Sequence, residues 1–217
     1  MSEKMTGATF KAPELLELSI EWARTTFPDS VIVPEMSVAD WGGASLDLGI
    51  ITDSEVIGIE IKGEGDSPAR LPLQGVAYPL VCRFMYLLCC PSIEVRCHKK
   101  RPTGWGRLSI EEGQIVEARP GARELRTQSP DRLCGTLWRE ELYNIARLND
   151  LKVRGRPTFE PLRRAICDQM TLPRIHDEMV RALRERKWNN GRPLHLHKRI
   201  IDTRSPDLKP STQGALL

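Results

Sequence analysis

Two heptapeptides separated by four polar residues constrain this 217-residue chain more than anything else in it. Ser45-Leu46-Asp47-Leu48-Gly49-Ile50-Ile51 and Val56-Ile57-Gly58-Ile59-Glu60-Ile61-Lys62 flank Thr52-Asp53-Ser54-Glu55. Short aliphatic runs bounded by turn formers read as two strands of a hairpin. With Asp53 and Ser54 as the central turn residues, Asp47 falls directly opposite Glu60. Lys62, two positions on, shares their face. The opposite face is Leu46, Leu48, Ile50, Ile57, Ile59 and Ile61, wholly aliphatic. One face belongs to a core, and the other presents two carboxylates and an ammonium.

Stability alone explains that second face poorly, because like charges opposed across a sheet repel. A divalent cation between them reverses the sign. Mg²⁺ takes oxygen ligands, commonly one or two carboxylates completed by waters and substrate phosphate. A lysine beside it can orient a water and neutralise charge developing on a phosphate. The plainer alternative is a solvated hairpin face on which Lys62 screens the acids. The aliphatic opposite face argues against it by implying a strand pair buried on both sides.

The flanking sequence predicts an α/β fold, a central mixed sheet with helices around it and a helical region C-terminal to it. Residues 13–27 form an amphipathic pattern with Leu16, Ile20, Ala23 and Phe27 on one stripe and Pro13 in the first turn. Residues 31–38 read as a strand and Asp40-Trp41-Gly42-Gly43 as a turn. Residues 73–81 read as a helix with Pro72 in its first turn, and 83–90 as a buried strand. A strand, helical crossover and strand imply parallel pairing beside the hairpin. Edge strands are expected at 93–98 and 106–110, a linker at 129–135, and helices at 136–148, 158–170 and 172–188, the last with Thr171 as N-cap. The domain division that follows is 1–128 for the α/β core, 136–190 for a basic helical region and 191–217 for a basic tail without a clear period.

Asp47, a gap of twelve residues and then Glu60-Ile61-Lys62 resembles the signature of the PD-(D/E)xK nuclease superfamily. The resemblance spans residues 13–92. It implies a restriction-endonuclease-like core and Mg²⁺- or Mn²⁺-dependent hydrolysis of DNA phosphodiesters. By that resemblance Asp47, Glu60 and the Ile61 carbonyl bind the metal and Lys62 serves the attacking water. Gln74 and Tyr78 match the Gln and Tyr often found on the following helix; their i, i+4 spacing puts them on one face, within reach of phosphate or metal-bound water. A further acid on the first helix corresponds to Glu17 or Glu21, between which the sequence does not decide. Leu46 stands where the family's name has proline. Small endonuclease-like proteins of bacterial DNA repair and of phage genomes are the branch most similar. Many members act as dimers, so a homodimer or a larger DNA-processing complex is implied.

Charge is unevenly spread. The net charge is +3, but residues 1–150 hold 17 Lys/Arg against 22 Asp/Glu, and 151–217 hold 15 against 7. A basic C-terminal part suits a polyanionic partner, although basic helices are also common as plain solvated faces. The stretch from Leu148 to Thr158, with Lys152, Arg154 and Arg156, resembles the helix–extended–helix of SAP-type DNA-binding motifs, whose basic loop and helix N-terminus meet backbone phosphate. Lys187-Trp188 and residues 192–199, which include Arg192, His195 and His197, suggest a basic and aromatic contact strip. The six cysteines contain no CxxC pair and the N-terminus no signal pattern, so reduced, buried thiols in a soluble cytoplasmic protein without membrane attachment are expected. Cys90, Cys97 and His98 could contribute to a zinc-stabilised adaptor, with a fourth ligand from elsewhere. The competing functional classes are a DNA nuclease, a DNA-binding or assembly protein that keeps the nuclease fold without turnover, and a related enzyme acting on RNA.

Overall fold

The hairpin forms as its pattern predicts and becomes the middle of a six-stranded mixed sheet. The computed structural model describes residues 9–38, 45–118, 121–189 and 192–193. Strands β1 (Val31–Ser37), β2 (Ser45–Ile51), β3 (Val56–Lys62), β4 (Phe84–Cys89), β5 (Gly106–Glu111) and β6 (Gln114–Ala118) lie in chain order. β1, β2 and β3 pair antiparallel, β3–β4 and β4–β5 parallel, and β5–β6 antiparallel. The β2–β3 ladder runs from Ile51↔Val56 to Leu48↔Ile59, the register of a turn centred on Asp53 and Ser54. Every residue of β3 is buried, as a strand covered on both faces requires.

Helix α1 (Ala12–Thr26) lies against β1, β2, β3 and β6, with Leu15, Ser19 and Ala23 facing inward at four-residue spacing. The fully buried stripe thus sits one position off the expected one: Leu16, Ile20 and Phe27 are its partly buried flanks. The parallel crossover from β3 to β4 passes through a single 3₁₀ turn at Pro68–Arg70, helix α2 (Leu71–Ala77) and another 3₁₀ turn at Tyr78–Leu80. Glu35 has φ +50°, and past it the β1–β2 pair folds across the sheet. There Met36 covers Gly49 and Leu46 covers Gly58, where a Cβ would come within 2.4 Å of Met36 Sδ and 2.9 Å of Leu46 Cδ2. Leu46 therefore covers the face that bears Glu60, not the aliphatic face of Leu48 and Ile59 that simple alternation predicts.

Three other expectations are corrected. Residues 93–98 are not an edge strand: a 3₁₀ turn at Pro91–Ile93 leads into helix α3 (Glu94–His98), which buries Ile93 and Cys97 and leaves Val95 69% exposed. Residues 106–110 do form a strand, but an interior one, because β6 covers its outer side. Residues 129–135 are not a linker: Pro130–Gly135 is helix α4, with Leu133 and Cys134 fully buried. The expected turn at residues 40–43 lies outside the described residues.

Beyond α4 come α5 (Arg139–Leu148), α6 (Phe159–Gln169) and α7 (Leu172–Glu185), then a short hairpin of β7 (Trp188–Asn189) and β8 (Arg192–Pro193). Thr171 stands at the N-cap of α7, although its side chain makes no capping bond. The helices share one continuous buried cluster with the sheet. Arg184 fastens α7 to the sheet, donating to the carbonyls of Ile51 and Asp29.

The end of β3 is closed by the start of α1. Glu64 N–H donates to the Phe10 carbonyl, and a Cβ on Gly63 would lie 2.4 Å from the Ala12 nitrogen. That contact is backbone and cannot swing aside. Gly63→Ala is expected to destabilise the fold by about 1–3 kcal/mol, the usual range for overpacking, measured as a lower midpoint in urea unfolding with an unchanged m-value.

Candidate active site

Glu60 and Lys62 point from the carboxyl end of β3, beside its parallel neighbour β4, the edge at which open α/β sheets place ligands. They are only 2% and 5% exposed. Lys62 Nζ donates to Glu60 Oε1 at 2.5 Å, and Gln74 Nε2 donates to the same oxygen at 2.6 Å. The other carboxylate oxygen, Oε2, is buried without a partner, as is Gln74 Oε1. Gln74 is steadied by Tyr78: its Nε2 lies 3.0 Å from the phenol oxygen, and that hydroxyl donates to the Ser45 carbonyl at 2.7 Å. The chain Ser45–Tyr78–Gln74–Glu60 thus ties β2, the crossover and β3 into one hydrogen-bonded unit.

Asp47 departs from a plain cross-strand partner. The β2–β3 ladder ends at Leu48↔Ile59, and beyond it Asp47 Oδ2 accepts the Ile61 N–H at 2.6 Å. Burial and the Glu60 charge push the Asp47 carboxyl up to about 6, with Asp66 adding to the rise; the Ile61 N–H and Lys62 act the other way. The acid-bearing face is made dry by Met36, Met85 and Leu46 lying over Gly49 and Gly58. Tyr78 is held protonated, its phenol raised by burial and by Glu60.

The structure therefore brings Asp47, Glu60, Lys62, Gln74 and Tyr78 together. Tyr78 is 2% exposed and committed to Ser45, so it braces Gln74, and a phosphate contact would require its release. Glu17 and Glu21 are both exposed on α1. The second acid that acts on Asp47, after Glu60, is Asp66, which accepts the Gly63 N–H at 2.8 Å. Its position just past β3, in a loop with glycine on either side of Glu64, was the available signal.

The cysteine–histidine set does not converge. Cys90 Sγ accepts the Phe10 N–H, Cys97 hydrogen-bonds with Cys89, and His98 pairs with Glu94. Among the described residues no group of three or more His, Cys, Asp or Glu side chains could hold a metal ion.

Lys152, Arg154 and Arg156 are exposed on the extended segment between α5 and α6. Gln169 clamps the Lys152 backbone, accepting its N–H and donating to its carbonyl, each at 3.0 Å. Lys187 is exposed beside Trp188, but the Trp188 ring is already engaged. Its Nε1 donates to Leu183, and Arg186 lies 4.9 Å from both the Trp188 and Trp138 ring centres. Arg192 pairs with Asn189 through the backbone in β8. His195 and His197 lie outside the described residues.

Fold and site together define an α/β protein with an acid–lysine–glutamine cluster at the carboxyl end of a parallel strand pair. The chain belongs to the bacteriophage P4 protein cII family, whose model matches residues 5–207. No match was found among curated proteins or among solved structures. No helix among the described residues is long and apolar enough to cross a membrane.

A raised carboxyl has a definite consequence for stability. Between the ordinary Asp value, near 4, and the folded value of about 6, the folded state holds more protons than the unfolded one, so stability falls as pH rises through that window. Asp47→Asn keeps an oxygen for the Ile61 N–H and removes the charge. In metal-free buffer it is expected to match the wild type near pH 4 and to exceed it in thermal midpoint above about pH 6. Equal midpoints at pH 7.5 would contradict the repulsion described here.

Proposed function

We propose that this chain is a divalent-metal-dependent nuclease of the PD-(D/E)xK type that hydrolyses phosphodiester bonds in DNA, acting in the cytoplasm. The observation that carries the reading is the buried Glu60 carboxylate, with one oxygen fixed by Lys62 and Gln74 and the other without a partner beside the crowded Asp47 carboxyl. Unsatisfied hard oxygens on a dry face fit Mg²⁺ or Mn²⁺. The resemblance names Asp47, Glu60 and the Ile61 carbonyl as the holders. Two carboxylates without a full protein cage also fit Mg²⁺, which keeps several waters. The ion, when bound, supplies Lewis-acid polarisation of the phosphate and a more acidic water.

The remaining work falls to this chain's own side chains. Lys62 holds a positive charge where negative charge grows on the phosphate oxygens, in a water-poor crevice where such a charge counts for most. Gln74, braced by Tyr78, fixes which oxygen of Glu60 stays available. Lys152, Arg154, Arg156, Lys187 and Arg192 supply sequence-independent phosphate contacts, so DNA affinity falls steeply with salt. The second reading is a DNA-binding or assembly protein without turnover. It is favoured by the closure of the pair: Lys62 sits on Glu60 and both are almost fully buried.

The test is cleavage of labelled single-stranded, duplex and branched DNA with Mg²⁺, Mn²⁺ or EDTA. Lys62→Ala and Lys62→Gln are compared with the wild type; the glutamine retains a hydrogen-bond donor for the buried Glu60, whose bare charge would otherwise be costly. Wild-type cleavage that needs metal and falls at least about a hundredfold in both variants is expected. DNA binding without cleavage on every substrate would favour the second reading.

A further inference from the structure

Residues 96–101 read Arg-Cys-His-Lys-Lys-Arg, and they follow β4 at its carboxyl end. Cys89, the last residue of β4, is opposite Lys62 in the parallel register, and the Cys90 N–H donates to the Lys62 carbonyl at 2.8 Å. The Cys97 thiol on α3 is lowered by its hydrogen bond with Cys89 and further by the Lys62 and Arg96 charges, against burial. The basic run therefore starts at the same end of the sheet as the acid–lysine cluster. Arg96, Lys99 and Lys100 are exposed, as is Arg70 before α2, and among the described residues no ion pair engages any of the four. Glu94, the acid of α3, is taken by His98 at 3.1 Å. Of the acids past β3, Asp66 accepts the Gly63 N–H, and Glu64 is exposed with its own N–H bonded to Phe10 ahead of α1. Burial holds the His98 imidazole below its ordinary value and the Arg107 and Arg101 charges add to this, while Glu94 acts the other way.

Helix α2 borders the same run. Pro102 sits so close to Gly75 that a Cβ there would lie 2.5 Å from it. On either side of Gly75, Leu73 and Val76 are 75% and 69% exposed, and Arg70 precedes them at the same three-residue spacing. Neighbouring aliphatic side chains left in water mark an interaction surface, and the cations around them set the charge of its occupant. We propose that Arg70, Arg96, Lys99 and Lys100 hold the phosphates of a single-stranded DNA whose unstacked bases lie on Leu73 and Val76. A duplex offers the charge but keeps its base faces stacked inside; a single strand offers both. The helical C-terminal part joins the other end of the sheet, where Arg184 donates to the carbonyl of Ile51, the partner of Val56. Val56 and Lys62 are the two ends of β3, about 20 Å apart at the usual strand rise. DNA that reaches Lys62 therefore needs cations at the lysine's own end. That a phosphodiester held here is the one cleaved rests on the nuclease reading, whereas the affinity of the surface does not.

Fluorescence anisotropy of a labelled single-stranded oligonucleotide, titrated with the full chain in EDTA at several salt concentrations, tests this. Lys99→Gln/Lys100→Gln is expected to bind at least about tenfold more weakly. The slope of log affinity against log salt should flatten by about 1.4, the share of two phosphate contacts on a single strand. Both positions are exposed, so the thermal midpoint should match that of the wild type. Leu73→Ser/Val76→Ser is expected to weaken binding with the slope unchanged, and the wild type to prefer the single strand to a duplex of the same sequence. Undiminished affinity in the lysine variant overturns the surface. A duplex bound as tightly as the single strand, or a serine variant that binds like the wild type, overturns the single-strand assignment. Because no metal is present, the two readings fail separately. A protein that cleaves DNA while its lysine variant binds undiminished refutes the surface alone, and one that cleaves nothing while the variant loses affinity refutes only the nuclease reading.

Discussion

An ionised pair inside a sheet that is buried on both faces is the constraint around which this fold is arranged. Taking Glu60 and Lys62 out of water is costly, and their mutual attraction offsets that cost only when the geometry is good and other hydrogen bonds are satisfied. The surrounding elements meet that condition on one side. The crossover delivers Gln74 to Glu60 and props it with Tyr78, and α1 closes over Gly63 just past the lysine. The arrangement stops short of completion at Glu60 Oε2 and Gln74 Oε1, and it places Asp47 where another negative charge is unwelcome. A buried network with two oxygens left unpartnered, on Glu60 and on Gln74, is better suited to holding a ligand than to holding a fold.

The hairpin was legible because seven-residue segments with a four-residue connection leave little freedom of register, and the Asp47–Glu60–Lys62 cluster followed from it. What alternation could not show was Glu35 at φ +50°, which folds β1 and β2 over the sheet and moves Leu46 to the acid-bearing face. Nor could it show that the Asp47 side chain replaces a ladder bond to Ile61. Residues 93–98 read as a strand because Ile93, Val95 and Cys97 alternate. Ile93 and Cys97 are also four apart, and the short helix buries both while releasing Val95. Residues 129–135 read as a linker, yet proline in a first helical turn is equally natural, and α4 starts there. Strand β6 was missed because it is an edge strand with one buried residue, Ile115, and its turn is Glu112-Gly113 with both φ values positive. Asn-Gly at those positions would have announced it.

The helical C-terminal part is basic in sequence but not simply a charged surface. Arg184 and Arg186 are used inside the fold, the first on the sheet and the second between Trp138 and Trp188 with Glu141 beneath it. Arg174 and Arg181 flank Glu178, whose carboxyl burial alone would raise; hydrogen bonds from Arg181 and Asn149 hold it below its ordinary value. The charges left facing solvent in this region include Lys152, Arg154, Arg156 and Lys187. Among the described residues of this C-terminal part, the basic side chains that face solvent without an acidic partner are thus fewer than its composition suggests.

The central claim is that Asp47 and Glu60 together form a divalent-cation site, and thermal unfolding against Mg²⁺ concentration at pH 7.5 tests it most directly. A ligand that binds only the folded state raises the midpoint with concentration. The wild type is expected to rise steadily with Mg²⁺ while Asp47→Asn stays flat, reversing their order in metal-free buffer. Parallel responses of the two proteins, or none in the wild type, would contradict the account.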